Sequence, residues 1–280
     1  MQIIDTHLHL IYLDRFRYPW LDADPNLNRI FTMEEYLSQA GSAGITKMLH
    51  MEVDVAEADI ERETTFALGV GRGVVGAISA CRPESAEFPA FLERSIAAPG
   101  VRGFRRVFHT GAHEAARTAL FKSHVKLLAK HKKTFDLCFW PRHIPIAAEL
   151  AKACPDVQFV LDHCGIPNIR GRELDPWRNH IREISALPNV ACKISGVIAY
   201  GDPVNWTVDD LRPYVEHAIQ SFGWDRVVWG SDWPVCTVAA NLARWVAATH
   251  TLLEGSSEDE KERLLHRNAR RIYSINEGGA

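Results

Sequence analysis

Gln2-Ile3-Ile4-Asp5-Thr6-His7-Leu8-His9-Leu10 reads as a strand that carries two imidazoles. Side chains alternate faces along a strand, which puts Asp5, His7 and His9 on one side and Thr6, Leu8 and Leu10 on the other. His7 and His9 then sit side by side at the strand's C-terminal end. Such a pair is also compatible with ordinary half-buried polar residues, so the other strand ends decide the reading.

Working outward, short apolar runs alternate with longer segments of helical period. The candidate strands are 3–10, 45–53, 73–80, 101–108, 134–140, 157–163, 190–195 and 226–232, spaced by roughly thirty residues as in βα units. Between them, Thr32-Met33-Glu34-Glu35 and Ser257-Glu258-Asp259-Glu260 have the capping-box form, in which a hydroxyl and a carboxylate satisfy free backbone N–H groups. The stretches 115–130, 144–153, 208–222 and 238–253 continue the helical pattern. The expectation is an α/β fold, a single-domain (β/α)8 TIM barrel over residues 1–280. An open doubly wound sheet is the alternative, since six of the units could build one.

Composition fits that reading. In 280 residues, 46% are hydrophobic, 24% are charged, and the net charge is −3, which argues against nucleic-acid or membrane partners. No apolar run is long enough for a membrane span, and the chain opens straight into a strand. Cys81, Cys138, Cys154, Cys164, Cys192 and Cys236 show no Cys-x-x-Cys spacing; in apolar runs they behave as small buried hydrophobes. The expectation is a reduced, cytoplasmic protein acting on a small molecule, with a homo-oligomer left open. Gly69-Val70-Gly71-Arg72-Gly73 precedes a strand, the wrong order for a dinucleotide fingerprint.

In a barrel, strand ends converge on one mouth. Strand six ends in Asp162-His163-Cys164-Gly165 and strand eight in Gly230-Ser231-Asp232-Trp233-Pro234. His7, His9, His163 and Asp232 would therefore face one another. A lone histidine is usually a satisfied core residue and a lone strand-end aspartate a helix cap; four such groups from three strands point to a site. The loop-like stretch 12–31 follows strand one where barrel loops build active sites, and Tyr18-Pro19-Trp20 would serve there as a wall or as surface packing.

These motifs resemble the amidohydrolase superfamily, most closely its branch of L-fuconolactonase, L-rhamnonolactonase and 2-pyrone-4,6-dicarboxylate lactonase-like enzymes. Tyr18-Pro19-Trp20-Leu21, Pro141-Arg142 and Lys193-Ile194-Ser195-Gly196 fit that branch too. The resemblance covers essentially the whole chain, to the helix 263–275. It implies a carboxylic-ester hydrolase that opens a lactone, most simply a sugar (aldono-) lactone in carbohydrate catabolism. A two-metal site of this superfamily needs a lysine or glutamate on strand four and a histidine on strand five. This chain offers Phe104-Arg105-Arg106 and no histidine on strand five before His143, and a guanidinium cannot ligate a metal. His7, His9, His163 and Asp232 remain, enough for one divalent ion, zinc first, or for a site that requires none.

The resemblance also implies roles. Asp232 would act as general base on water, while His7, His9 and His163 polarise the ring carbonyl. Arg105 and Arg142 would hold substrate through their planar forks, with structural ion pairs as the alternative. Trp20 and Trp233 would stack on the ring. Glu52 and Lys193 are weaker mouth residues; His50, His109, His113, His124 and His131 are read as structural or surface. Three other readings stay open: a lactonase for a pyrone or muconolactone type of substrate, a zinc-dependent decarboxylase of the same superfamily, and a non-catalytic ligand-binding barrel. Several of those decarboxylases continue the strand-eight aspartate with Tyr-Pro-His, where this chain has Trp233-Pro234-Val235.

Overall fold

The computed structural model describes residues 1–109 and 111–276. Eight parallel strands follow one another around the sheet in chain order: β1 Ile3–Leu8, β2 Ile45–Met51, β3 Val74–Ala80, β4 Val101–Val107, β5 Thr134–Cys138, β6 Phe159–Leu161, β7 Val190–Ile194 and β8 Val227–Trp229. Around them lie α1 Met33–Ala40, α2 Ile60–Gly69, α3 Phe88–Ile96, α4 Ala119–Lys130, α5 Ile144–Ala153, α6 Trp177–Ser185, α7 Val208–Phe222 and α8 Leu242–Leu252. This is the (β/α)8 barrel, with one helix after every strand. Among the described residues, no helix is long and apolar enough to cross a membrane.

The barrel closes through the segment just past β8. Asp232 N donates to His7 O at 2.9 Å and His9 N to Trp233 O at 2.8 Å, so the aspartate of strand eight is laced directly against the histidines of strand one. β6 and β8 are shorter than their apolar runs suggest because the chain turns sharply at their polar ends: His163, Cys164 and Asp232 have φ of 54°, 53° and 57°. Non-glycine residues seldom adopt this region, and such strain gathers at functional sites.

One expectation fails on β1. Its pairing with β2 slips between Asp5↔Met48 and Leu8↔His50, a bulge that places an extra residue on β1 and breaks the alternation. His7 and His9 stay on the same side, but Asp5 turns away from them. Its carboxylate accepts from Tyr36 OH of α1 at 2.7 Å and from Ser231 N at 2.8 Å, tying strand one to strand eight and to a helix.

Caps set the helix starts. Thr32 accepts from Glu35 N, while Glu35 pairs with Arg29 instead of completing the box. Ser257 and Glu260 make the full capping box. Two helices begin later than their periodicity suggests, α4 because Thr118 is its cap and α8 because Asn241 is. Inside the barrel, Ile4, Leu49, Met51, Ile78, Val160 and Val228 pack with Ala269, Ile272 and Tyr273 of the C-terminal helical segment, which plugs the end opposite the mouth. All six cysteines are free and buried.

Candidate active site

The four expected groups do meet. His7 Nε2 and His9 Nε2 lie 3.1 Å apart. Asp232 Oδ1 is 3.6 Å from the first and 3.5 Å from the second, and Asp232 Oδ2 is 3.8 Å from His163 Nδ1. Met51 O fixes His9 by accepting from Nδ1 at 3.0 Å, and the Ser195 hydroxyl fixes His163 at Nδ1, 2.9 Å away. Gly196, at φ 64°, makes room: a Cβ there would come within 2.4 Å of Asp232 Oδ2 and 2.7 Å of His163 Nδ1.

Beneath this cluster lies a buried ionic floor. Lys193 Nζ reaches Asp136 Oδ2 at 2.6 Å and Asp162 Oδ1 at 2.9 Å, and stands 3.2 Å from His7 Nδ1. Tyr273 donates to Asp136 at 2.9 Å, so the C-terminal plug is coupled to the floor. Burial works against the Lys193 ammonium, yet Asp136 and Asp162 outweigh it and hold its pKa above the usual lysine range. Burial pushes Asp136 up to about 6, with Lys193 opposing. Burial, reinforced by Lys193, holds His7 well below the usual imidazole range although Asp162 pulls the other way. His163 is lowered mainly by burial, against Asp232. Both rings are therefore neutral at pH 7.

Arg105 belongs both to this network and to the mouth. Its Nε donates to Glu52 Oε1 at 2.5 Å and Nη2 to Glu52 O at 2.8 Å, while Nη1 lies 3.3 Å from His7 Nε2. The structural ion pair is real, with Glu52, just past β2, rather than a helix residue as partner. Arg105 also lines the central pocket, of about 200 Å³, together with His9, Trp20, His163 and Asp232. Trp20 is anchored there by its indole N–H, which donates to Val53 O at 2.8 Å.

Two expected substrate residues lie elsewhere. Trp233 is fully buried, packed edge-on against Phe31 and Tyr36, because the left-handed turn at Asp232 sends the next side chain out of the barrel. Arg142 lies outside the central pocket and lines a neighbouring one. Lys193 is sealed below the mouth, and Glu52 is engaged with Arg105. Conversely, His109, Tyr200, Asp24 and Asp54 line the central pocket. His109 had a signal, since it continues the inward face of Arg105 and Val107; Tyr200 ends a short turn after β7 and had none.

The donor set fits one divalent cation. His7, His9 and Asp232 bring ligand atoms within 4.8 Å of one another, and buried Asp232 Oδ2 has no hydrogen-bond partner. Two imidazole nitrogens and a carboxylate suit zinc, provided His7 carries its proton on Nδ1, facing Asp162. His163 groups instead with His7 and Asp162, so the four expected ligands do not form one compact set.

His50 gives the site's surroundings a measurable acid sensitivity. It is buried, and burial, with His9 and Arg105 adding to it, lowers its pKa to about 3. The unfolded chain, with an imidazole near 6.5, binds the proton first, so this contribution is present above pH 6.5 and is lost as pH falls towards 3. Between pH 6 and 4 the wild type should lose about 1.4 kcal/mol per pH unit relative to His50→Gln. Urea unfolding of both proteins across that range measures it; parallel stability curves would show that His50 is not kept neutral.

Comparison with known proteins places this geometry. The family model described as amidohydrolase matches residues 4–275. Protein y4mH of Sinorhizobium fredii is 31% identical over 297 residues, covering 98% of each chain. The L-fucono-1,5-lactonase of Burkholderia multivorans is 27% identical over 296 residues, 98% of this chain and 96% of its own. A crystal structure of a Burkholderia multivorans amidohydrolase with bound zinc superposes with a TM-score of 0.87 at 23% identity, covering 99% of this chain and 100% of that one; at that identity it speaks for the fold.

Proposed function

The chain belongs to the amidohydrolase family, and on that premise we propose that it is a lactonase that opens a neutral sugar lactone by aiming water at the ring carbonyl. One observation carries the choice of substrate class. The central pocket is lined by three carboxylates, Asp24, Asp54 and Asp232, against a single guanidinium, Arg105; that guanidinium is already paired with Glu52, and Arg82, which is not among the lining residues, offsets Asp54 alone. A dianionic pyrone-type lactone would meet net negative charge there. A polyhydroxylated ring meets acceptors for its hydroxyls and the Trp20 ring as an apolar wall. The related Burkholderia multivorans enzyme, named for an aldonolactone, supports the same reading.

The chain's own groups suit the chemistry. Asp232 Oδ2, without a hydrogen-bond partner, is free to take a proton from water. In the tautomer whose Nδ1 accepts from the Ser195 hydroxyl, neutral His163 carries its proton on Nε2 and can donate it to the carbonyl oxygen as charge develops; one such donor is worth roughly 3–4 kcal/mol. As the water oxygen bonds to the carbonyl carbon and the ring C–O bond breaks, the proton held by Asp232 passes to the departing ring oxygen. A divalent ion held by His7, His9 and Asp232 would supply Lewis-acid polarisation of the same carbonyl.

The test is a pH-indicator assay of acid release from aldono-1,4- and 1,5-lactones and from pyrone and muconolactone types, read above spontaneous hydrolysis. Aldonolactones should be opened with one proton released per ring. Turnover confined to the dianionic lactones would overturn the sugar reading.

A further inference from the structure

A second cavity, of about 360 Å³, adjoins the central pocket. Tyr200 lines both and so forms their shared wall. A second link runs through the mouth: Trp140, which lines the outer cavity, donates its indole N–H to the backbone oxygen of His109 at 2.8 Å, and His109 lines the inner one.

The outer cavity carries two exposed charged side chains, Arg142 and Glu173, that make no ion pair among the described residues. The Arg142 guanidinium touches only the neighbouring His143 ring, through Nε at 3.2 Å, and no carboxylate pairs with it among the described residues. Glu173 also lines the cavity, and among the described residues its carboxylate has neither ion pair nor hydrogen bond. Asp175 is paired with Arg178. Trp140 and Tyr200 contribute ring surface, and Asn168 an amide. A free anion would meet Glu173 and Asp175 beside the one arginine, so charge does not select for one. Hydroxyl groups donate to carboxylates and accept from guanidinium and amide at once, and a sugar ring offers apolar C–H faces to aromatic rings.

We propose that this cavity is a second saccharide subsite, placed to take a sugar unit attached to the lactone being opened in the central pocket. The substrate class is then a glycosylated aldonolactone, an aldobionolactone in its smallest form. This rests on the lactonase reading above and narrows it.

The experiment compares kcat/KM for an aldobionolactone with that for the corresponding monosaccharide lactone, in the wild type and in Arg142→Ala and Glu173→Ala, both at exposed positions where folding is tolerant. The wild type should favour the disaccharide lactone about tenfold, and each variant should lower the ratio of the two values by a comparable factor, through KM rather than kcat. Hydrolysis of the monosaccharide lactone without that of the disaccharide lactone, or variants that leave the ratio unchanged, would overturn the subsite while leaving the lactonase standing. Hydrolysis of neither would overturn the lactonase, and the subsite with it.

Discussion

Asp232→Asn should lower kcat/KM for lactone opening by about 10²–10⁴-fold, the contribution of a positioned general base. The substitution suits the question because asparagine tolerates the left-handed backbone of residue 232 nearly as well as aspartate. The turn that closes the barrel, with Asp232 N on His7 O, is therefore kept. What is lost is the basic oxygen: an amide cannot take a proton from water at neutral pH. The variant should stay folded by circular dichroism and keep the wild-type Tm to within a few degrees. If activity survives within tenfold, the base lies elsewhere in the pocket, with His109 and Asp54 next in reach. Repeating both assays with a strong chelator separates proton abstraction from metal polarisation, because only the latter would be lost from the wild type and restored by zinc.

Lys193→Met should destabilise the protein by about 3–5 kcal/mol, the range for breaking a buried pair by removing one partner. The methionine fills the space but leaves Asp136 and Asp162, both fully buried, facing each other without the ammonium that bridges them. Asp136 can respond by protonating: burial already pushes its pKa up to about 6 with Lys193 opposing, and without the ammonium it rises further, so the loss should shrink as pH drops from 8 towards 6 and level off below. Adding Asp136→Asn should recover part of the stability. Urea denaturation at pH 5 and pH 8 reads both effects. A Lys193→Met protein as stable as wild type at pH 8 would mean the ionic floor contributes nothing to holding His7 in place.

The meeting of polar side chains from the strand ends was legible, because a barrel sends every strand end to one mouth and few side chains can do metal or acid–base work there. His7, His9, His163 and Asp232 needed no more than periodicity and position. Less was legible where the backbone departs from regular geometry. The bulge in β1 has no glycine or proline to announce it, so Asp5 reads as sharing the face of His7 and His9 and is in fact a clasp to Tyr36 and Ser231. The positive φ at Asp232 sends Trp233 outward, against the simple alternation that would place it beside the substrate. The ionic floor was hidden for another reason: Lys193 and Asp136 lie on two strands and Asp162 just past a third, and only closure of the barrel makes them neighbours. Arg142 carried a signal but not an address, since its distance from Asp232 depends on how the turn after β5 leaves the barrel.

In the proposed reaction, water attacks the lactone carbonyl beside Asp232. Turnover of an aldonolactone in 18O-labelled water, with mass analysis of the acid, tests it most directly. One 18O per turnover is expected, in the newly formed carboxylate, at a rate that collapses in Asp232→Asn. Label on the released hydroxyl instead would place cleavage at the alkyl carbon–oxygen bond and contradict the mechanism; equal rates in the two proteins would contradict the assignment of the base.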